Sequence, residues 1–206
     1  AQIPNSNSVM LAAQIESAGG IALRFPIIPD DLASLSLALS NACSCDVILT
    51  CGGASVGDFD FVRTALEQDG DVRFSKVAMT PGKPVAYGTL RGVPWIALPG
   101  NPVSAFVCFE LFALPAIRAL LGHRCALPDF EKLRSSEPLL GDRSREMVLR
   151  GHVEHRDGDR WFVAKKRQGS GDLSSLLAVD ALAFVPPGIV QVDPGAQVLC
   201  LRIERL

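Results

Sequence analysis

Hydrophobic positions along the first 122 residues switch between two periods. Ser8 to Ala18 carries apolar side chains at helical spacing and stops at Gly19-Gly20, which predicts a helix with a glycine end. IALRF (21–25) is a short strand candidate. Asp30 and Asp31 then offer caps for a helix through about Ala42, with Leu32, Leu35 and Leu39 at i, i+3 and i+7. DVILT (46–50) predicts a buried strand that ends in the loop CGGASVGDFD, and a helix from about Asp60 to Gln68 follows. VRFSKVA (72–78), PVAYGTL (84–90) and VPWIAL (93–98) predict three more strands, the last two joined as a hairpin by Arg91-Gly92. The helix after Asn101 runs to about Gly122 and should bend at Pro115, because proline has no amide hydrogen to donate.

Beyond residue 125 the period is mostly two. MVLRGHVEH, Asp157-Gly158-Asp159 and RWFVAKK form the clearest hairpin in the chain, and ALAFV (181–185) and QVLCLRIERL (197–206) add short strands. SGDLSSLLAV alone suggests a turn of helix. The pattern predicts an α/β domain over residues 1–125 and a small all-β domain over 126–206.

Composition narrows the function classes. With 48% apolar residues the chain can bury a sizeable core, and a formal charge of −2 argues against non-specific nucleic-acid binding by phosphate neutralisation. The longest apolar stretch, Val103 to Leu121, is interrupted by Ser104, Glu110, Pro115 and Arg118, so no membrane partner is expected. Cys43, Cys45, Cys51, Cys108, Cys125 and Cys200 show no CxxC spacing and read as reduced core residues of a cytoplasmic protein; zinc on Cys43 and Cys45 is the sharper alternative. His152 and His155 lie three apart on a strand and face opposite ways, which disfavours a shared metal. Trp95 and Trp161 read as core or interface aromatics.

The unusual residues gather where strands end and helices begin, the place where open α/β sheets bind ligands. In TCGGASVGDFDFV (50–62), Gly52, Gly53 and Gly57 let backbone amides approach an anion, and Ser55 adds a hydroxyl. Asp58 reads equally as a helix cap. Asp60 reads better as a metal or substrate ligand, since a carboxylate beside a phosphate needs a cation or proton between them. TPGKPVAYG (80–88) clamps Lys83 between Pro81, Gly82 and Pro84, so its ammonium projects from a stiff corner. Pro99-Gly100-Asn101-Pro102 makes a third corner, with Asn101 placed to cap the next helix, Pro102 suited to its first turn and Ser104 nearby. Three such corners should converge on one anionic, phosphorylated ligand. No Ser-His-Asp or Cys-His arrangement accompanies them.

The set PNSNS, PDD, LTCGGASVGDFDFV, KVAMTPGKP and ALPGNPVSAF resembles the molybdopterin molybdenumtransferases, which include the C-terminal region of gephyrin. RGHVEH and GSGDLSSLLAVDALAFVP are similar to that family's C-terminal β domain. The resemblance implies insertion of molybdate into adenylylated molybdopterin with release of AMP, assisted by Mg2+. It implies catalytic roles for Asp31, Asp60 and Lys83, with Asp31 and Asp60 toward the metal. Pro99 and Pro102 would shape the pocket, and Arg150 and Ser170 would be the β domain's contribution. With the pattern above, the expected fold is a three-layer α/β/α domain with a mostly parallel sheet, followed by a barrel-like β domain. Thr80 stands where many relatives carry a basic residue. The chain also starts after the position of the family's first strand and its Thr-Gly-Asp-Glu-like turn, so weak binding and little turnover are expected of it alone. A homodimer is expected of the full-length protein. The competing readings are a pterin- or nucleotide-binding module without catalysis, and a scaffold domain.

Overall fold

The computed structural model describes residues 5–29, 31–52 and 70–203. Helix α1 (Ser6–Ser17) starts at Asn5, whose side-chain oxygen accepts the Ser8 amide, and ends before Gly19 at φ +88°. Helix α2 (Leu32–Ala42) starts at Asp31, which accepts the Ser34 amide at 2.8 Å. Strands β1 (Ile48–Cys51), β2 (Gly70–Lys76), β4 (Pro84–Leu90) and β5 (Val93–Leu98) form a sheet in the order β1-β5-β4-β2. Its two faces follow the period of two along β5. Trp95 and Ala97 join Leu39 and Ala42 of α2 in one cluster, while Ile96 and Leu98 join the other helices in a second.

The expected mostly parallel sheet is corrected to a mixed one. β1 and β5 run parallel, but β4 pairs antiparallel with both β5 and β2. The cause is local: Arg91 and Gly92, both at positive φ, join β4 to β5, and so short a connection can only reverse the chain. The IALRF strand is likewise absent. Residues 20–29 form no regular element, and Ile21 is 89% exposed and Leu23 65%. Among the described residues no strand offers them a ladder, and an extended segment without one has nothing to hold it as a strand. The helix expected from Asp60 to Gln68 lies outside the described residues.

Helix α3 (Pro102–Cys108) continues through a π-helical turn (Phe109–Ala113) into α4 (Leu114–Leu120). The wide turn just ahead of Pro115 accommodates a ring that would otherwise strike the carbonyl four residues back. By length and apolarity this 19-residue run could cross a membrane, yet Val103, Ala105, Val107, Cys108 and Phe109 are packed in the protein core.

The remaining strands close on themselves. β6 (Phe130–Ser135), β8 (Glu146–Arg156), β9 (Asp159–Ala164), β10 (Ala181–Val185) and β12 (Gln197–Arg202) lie in the order β10-β12-β6-β9-β8, and β8 pairs again with β10. The result is a five-stranded barrel. A small β7 (Leu139–Leu140) and β11 (Gln191–Val192) pair beside it. The β8–β9 turn uses Asp157 and Gly158 at φ 50° and 84°, as the Asp-Gly pair implied. SGDLSSLLAV supplies a single 3-10 turn (Leu173–Leu176).

Two features join barrel and sheet. Strand β3 (Met79–Thr80), immediately before the PGKP corner, pairs parallel with β8 through Met79↔Glu146 and Thr80↔Met147. One apolar cluster also runs from Leu11, Leu98 and Ile117 to Val148, Leu182, Phe184 and Leu201.

Candidate functional site

β1 and β5 are parallel neighbours, so their carboxyl ends open on the same side and their following loops meet. Gly52 takes φ +89° and donates its amide to Leu98 O at 3.3 Å. A Cβ placed on Gly100 would lie 3.6 Å from the Gly52 Cα, so the first and third corners are in contact. The sequence reading did not anticipate the link that crosses them. Asn7, in the first turn of α1, donates its side-chain amide to Gly100 O at 2.6 Å and to Cys51 Sγ at 3.1 Å. The Cys51 thiol sits 3.1 Å from the carbonyl of buried Pro99, to which it donates. Cys51 and Cys125 are exposed, against their reading as core residues, whereas Cys108 and Cys200 are buried as expected.

Asn101 occupies the N-cap position of α3, but its side chain makes no capping bond. Its amide turns to Ser170 Oγ at 3.4 Å, across from the barrel. The Ser170 carbonyl accepts the Val103 amide at 3.2 Å, so a barrel loop satisfies a first-turn donor that Asn101 was expected to serve. Pro102 fills the first helical position, where a missing N–H costs nothing. Ser104 is buried and adds no hydroxyl to the open face of the corner.

Arg150 and the loop that carries Ser170 are held together. Arg150 is fully buried; its Nε donates to Ser175 Oγ at 3.1 Å, and Nη2 donates to Arg167 O and Gly169 O, each at 3.3 Å. Its backbone is held by Gln168, whose side chain accepts the Arg150 amide at 3.0 Å and donates to the Arg150 carbonyl at 2.9 Å. The guanidinium therefore shapes the loop that presents Ser170. Burial pushes the guanidinium down from its usual value, with the Asp172 carboxylate acting the other way. Nη1 has no hydrogen-bond partner among the described residues. Gln168 was missed because a polar side chain in a loop carries no sequence signal for a two-way bond to a strand eighteen residues away.

Lys83 stands exposed on the PGKP corner, and its carbonyl accepts the Val77 amide at 2.9 Å. Gly82 takes φ +113° and leaves no room for a Cβ beside Met79 Cε and the Cys108 Sγ of α3. The second corner is thus pressed against the helix that the third corner begins. Gly53, Ser55, Gly57 and Asp60 lie outside the described residues, as does Asp58.

Asp31 is exposed and its carboxylate serves α2. The Ser34 amide holds it below the usual carboxylate range. With one oxygen so engaged and no group of three or more His, Cys, Asp or Glu placed to hold a metal among the described residues, those residues do not form a Mg2+ site by themselves. His152 and His155 both lie on β8, three residues apart. His152 contacts Glu154, its neighbour on the same strand face, at 3.1 Å. Trp95 is fully buried, while Trp161 lies 5.8 Å below the Arg156 guanidinium.

Residues 1–119 match the family described as a probable molybdopterin binding domain, and residues 132–203 match the MoeA C-terminal region, domain IV. The chain belongs to the molybdopterin molybdenumtransferase family. A curated relative, molybdopterin molybdenumtransferase 2 of Mycobacterium tuberculosis, is 35% identical over 95% of this chain and 50% of its own length. The Nostoc molybdopterin molybdenumtransferase is also 35% identical, over 98% of this chain and 48% of its own. The chain thus spans about half the length of the curated relatives it matches. Among solved structures, a molybdopterin biosynthesis moea protein from Pyrococcus horikosii covers all of this chain with a TM-score of 0.80 at 26% identity, using 49% of its own length. A molybdenum cofactor biosynthesis protein from Pyrococcus furiosus covers 96% of this chain and 64% of its own, with a TM-score of 0.73 at 25% identity.

Proposed function

We propose that this chain carries part of the site at which molybdate enters adenylylated molybdopterin, with release of AMP, in molybdenum cofactor biosynthesis. The observation that carries the reading is the meeting of Gly52, Gly100 and Ser170 at the start of α3, from three segments far apart in sequence. Backbone at such a corner approaches a ligand closely, and the Asn101 amide and Ser170 hydroxyl add donors at its rim. Lys83 supplies a cation to a phosphate or to molybdate, both anions. Catalysis at such a site is positioning and charge neutralisation rather than attack by a protein nucleophile. Mg2+ would neutralise oxyanion charge if bound, through Asp60 above all.

An anaerobic titration of the chain with adenylylated molybdopterin, with and without molybdate, tests this reading. Binding that strengthens with molybdate is expected, with little AMP released by the isolated chain. Lys83→Ala should weaken binding about tenfold, the loss of one well-placed cation. Equal affinity of Lys83→Ala and the unaltered chain would refute the reading; binding without AMP release even when the remaining half of a relative is supplied would favour a non-catalytic module.

A further inference from the structure

Asn7 links the two loops that form the corner, and nothing in the motif logic of the site assigns it a role. Its single Nδ2 serves two acceptors from different strands: Gly100 O at 2.6 Å, after β5, and Cys51 Sγ at 3.1 Å, at the end of β1. The amide's orientation is set by chemistry. Turned over, its oxygen would face the Gly100 carbonyl, acceptor against acceptor. The cost of the observed orientation is that Oδ1 is buried with no partner among the described residues. Cys51 completes the link by donating its thiol to Pro99 O at 3.1 Å, so both ends of the Pro99-Gly100 peptide pair are tied to β1 and α1.

We propose that Asn7 is a positioning residue of this site: one side-chain amide fixes the spacing between the Gly52 loop and the Pro99–Asn101 corner. It acts through Gly100 and Cys51 and does not touch the ligand. The inference rests on the functional reading above, because the spacing matters only if a ligand sits between those loops. Helix α1 supplies the residue because Asn5 caps it, and the cap holds the first turn, with Asn7 in it, against the strand ends. A carboxylate at the same place could accept but not donate, and would repel the Gly100 carbonyl.

The experiment uses the full chain with Asn7→Ala, Asn7→Asp and Cys51→Ser. Affinity for adenylylated molybdopterin should fall about tenfold in Asn7→Ala, further in Asn7→Asp, and less in Cys51→Ser, which keeps an acceptor and a donor but loosens the link by its shorter side chain. Thermal midpoints should stay within about 3 °C. Asn7→Ser suits a first helical turn and replaces Asn7→Ala if that variant does not fold. A second readout is the pH profile of Cys51 alkylation, followed at that cysteine by mass spectrometry. Although Cys51 is exposed as a residue, its sulfur is part-buried in the link, and that desolvation holds the thiol up, against the Asn7 amide and the Gly52 amide, so removing Asn7 should move the profile to higher pH. Cys108 on α3 is the titratable neighbour coupled to it, and its thiol, pushed up to about 12 by burial, stays neutral over that range. Unchanged affinity in Asn7→Ala, or a loss that merely tracks a fallen midpoint, overturns the proposal, as does an unmoved Cys51 profile. If the unaltered chain fails to bind the pterin nucleotide, the functional reading fails, and the alkylation profile still reports whether Asn7 forms the link.

Discussion

In the barrel each of the five strands has a neighbour on both sides, because β8 pairs with β9 and again with β10. In the four-stranded sheet β1 ends the order, with β5 as its one partner among the described residues. Closure leaves little freedom. All five residues of β10 are buried, and Gly151 of β8 lies tight against the Phe162 ring. The open sheet places Gly52, Gly100 and Lys83 at its strand ends. The barrel sends one loop, carrying Ser170, to the corner at the start of α3.

That contrast can be broken at several points. The largest effect is expected at Arg150, where alanine would leave the carbonyls of Arg167 and Gly169 and the Ser175 hydroxyl without their donor in a buried setting. Arg150→Ala should cost about 3 kcal/mol in chemical denaturation, and lysine should not rescue it, lacking the planar fork. If Arg150→Ala were as stable as the unaltered chain, the barrel would not be the rigid partner.

Gly151→Ala comes next, at about 2 kcal/mol, since the added methyl meets Phe162 and the Val163 carbonyl inside the barrel. Its counterpart at the site, Gly100→Ala, meets the Gly52 Cα at an ordinary 3.6 Å and should change stability by less than about 0.5 kcal/mol. Equal losses at these two glycines, measured in the same denaturant series, would erase the distinction between the regions.

The smallest effect concerns Asp31. Its carboxyl is held below its usual 3.8 by the Ser34 amide, so its folded value is the depressed one. The capping contribution is therefore present above about pH 4 and lost as pH falls through the folded value. The protection factor of the Ser34 amide, its exchange rate divided into the intrinsic rate at the same pH, should fall on acidification below that point, and Asp31→Asn should remove this acid dependence while keeping the cap. A protection factor that stays constant with pH would show that Asp31 is not capping and is free for another role.

Local chemistry was legible before any coordinates. Asp31 at the start of α2, the Asp-Gly turn and the strands VPWIAL and ALAFV follow from interactions within a few residues, and each stands where the pattern put it. What failed depends on distance along the chain. IALRF has strand composition, but a ladder partner cannot be read from five residues. The two-residue link between β4 and β5 implied an antiparallel pair, yet the order β1-β5-β4-β2 needs contacts between strands far apart in sequence. At the site, PGKP and PGNP announced stiff corners by their prolines and glycines. Asn101 looked like a cap and instead meets Ser170, because the competing acceptor comes from 69 residues away. Arg150 was named from a motif, and its guanidinium turned out to brace a loop.

Two residues of β3 carry a mechanical consequence. Met79 and Thr80 are stitched to the barrel, and Lys83 follows three positions later with Pro81 and Pro84 stiffening the path. A tilt of the barrel therefore drags the ammonium like the tip of a short lever, and the reach of that charge is set by a domain to which the lysine does not belong.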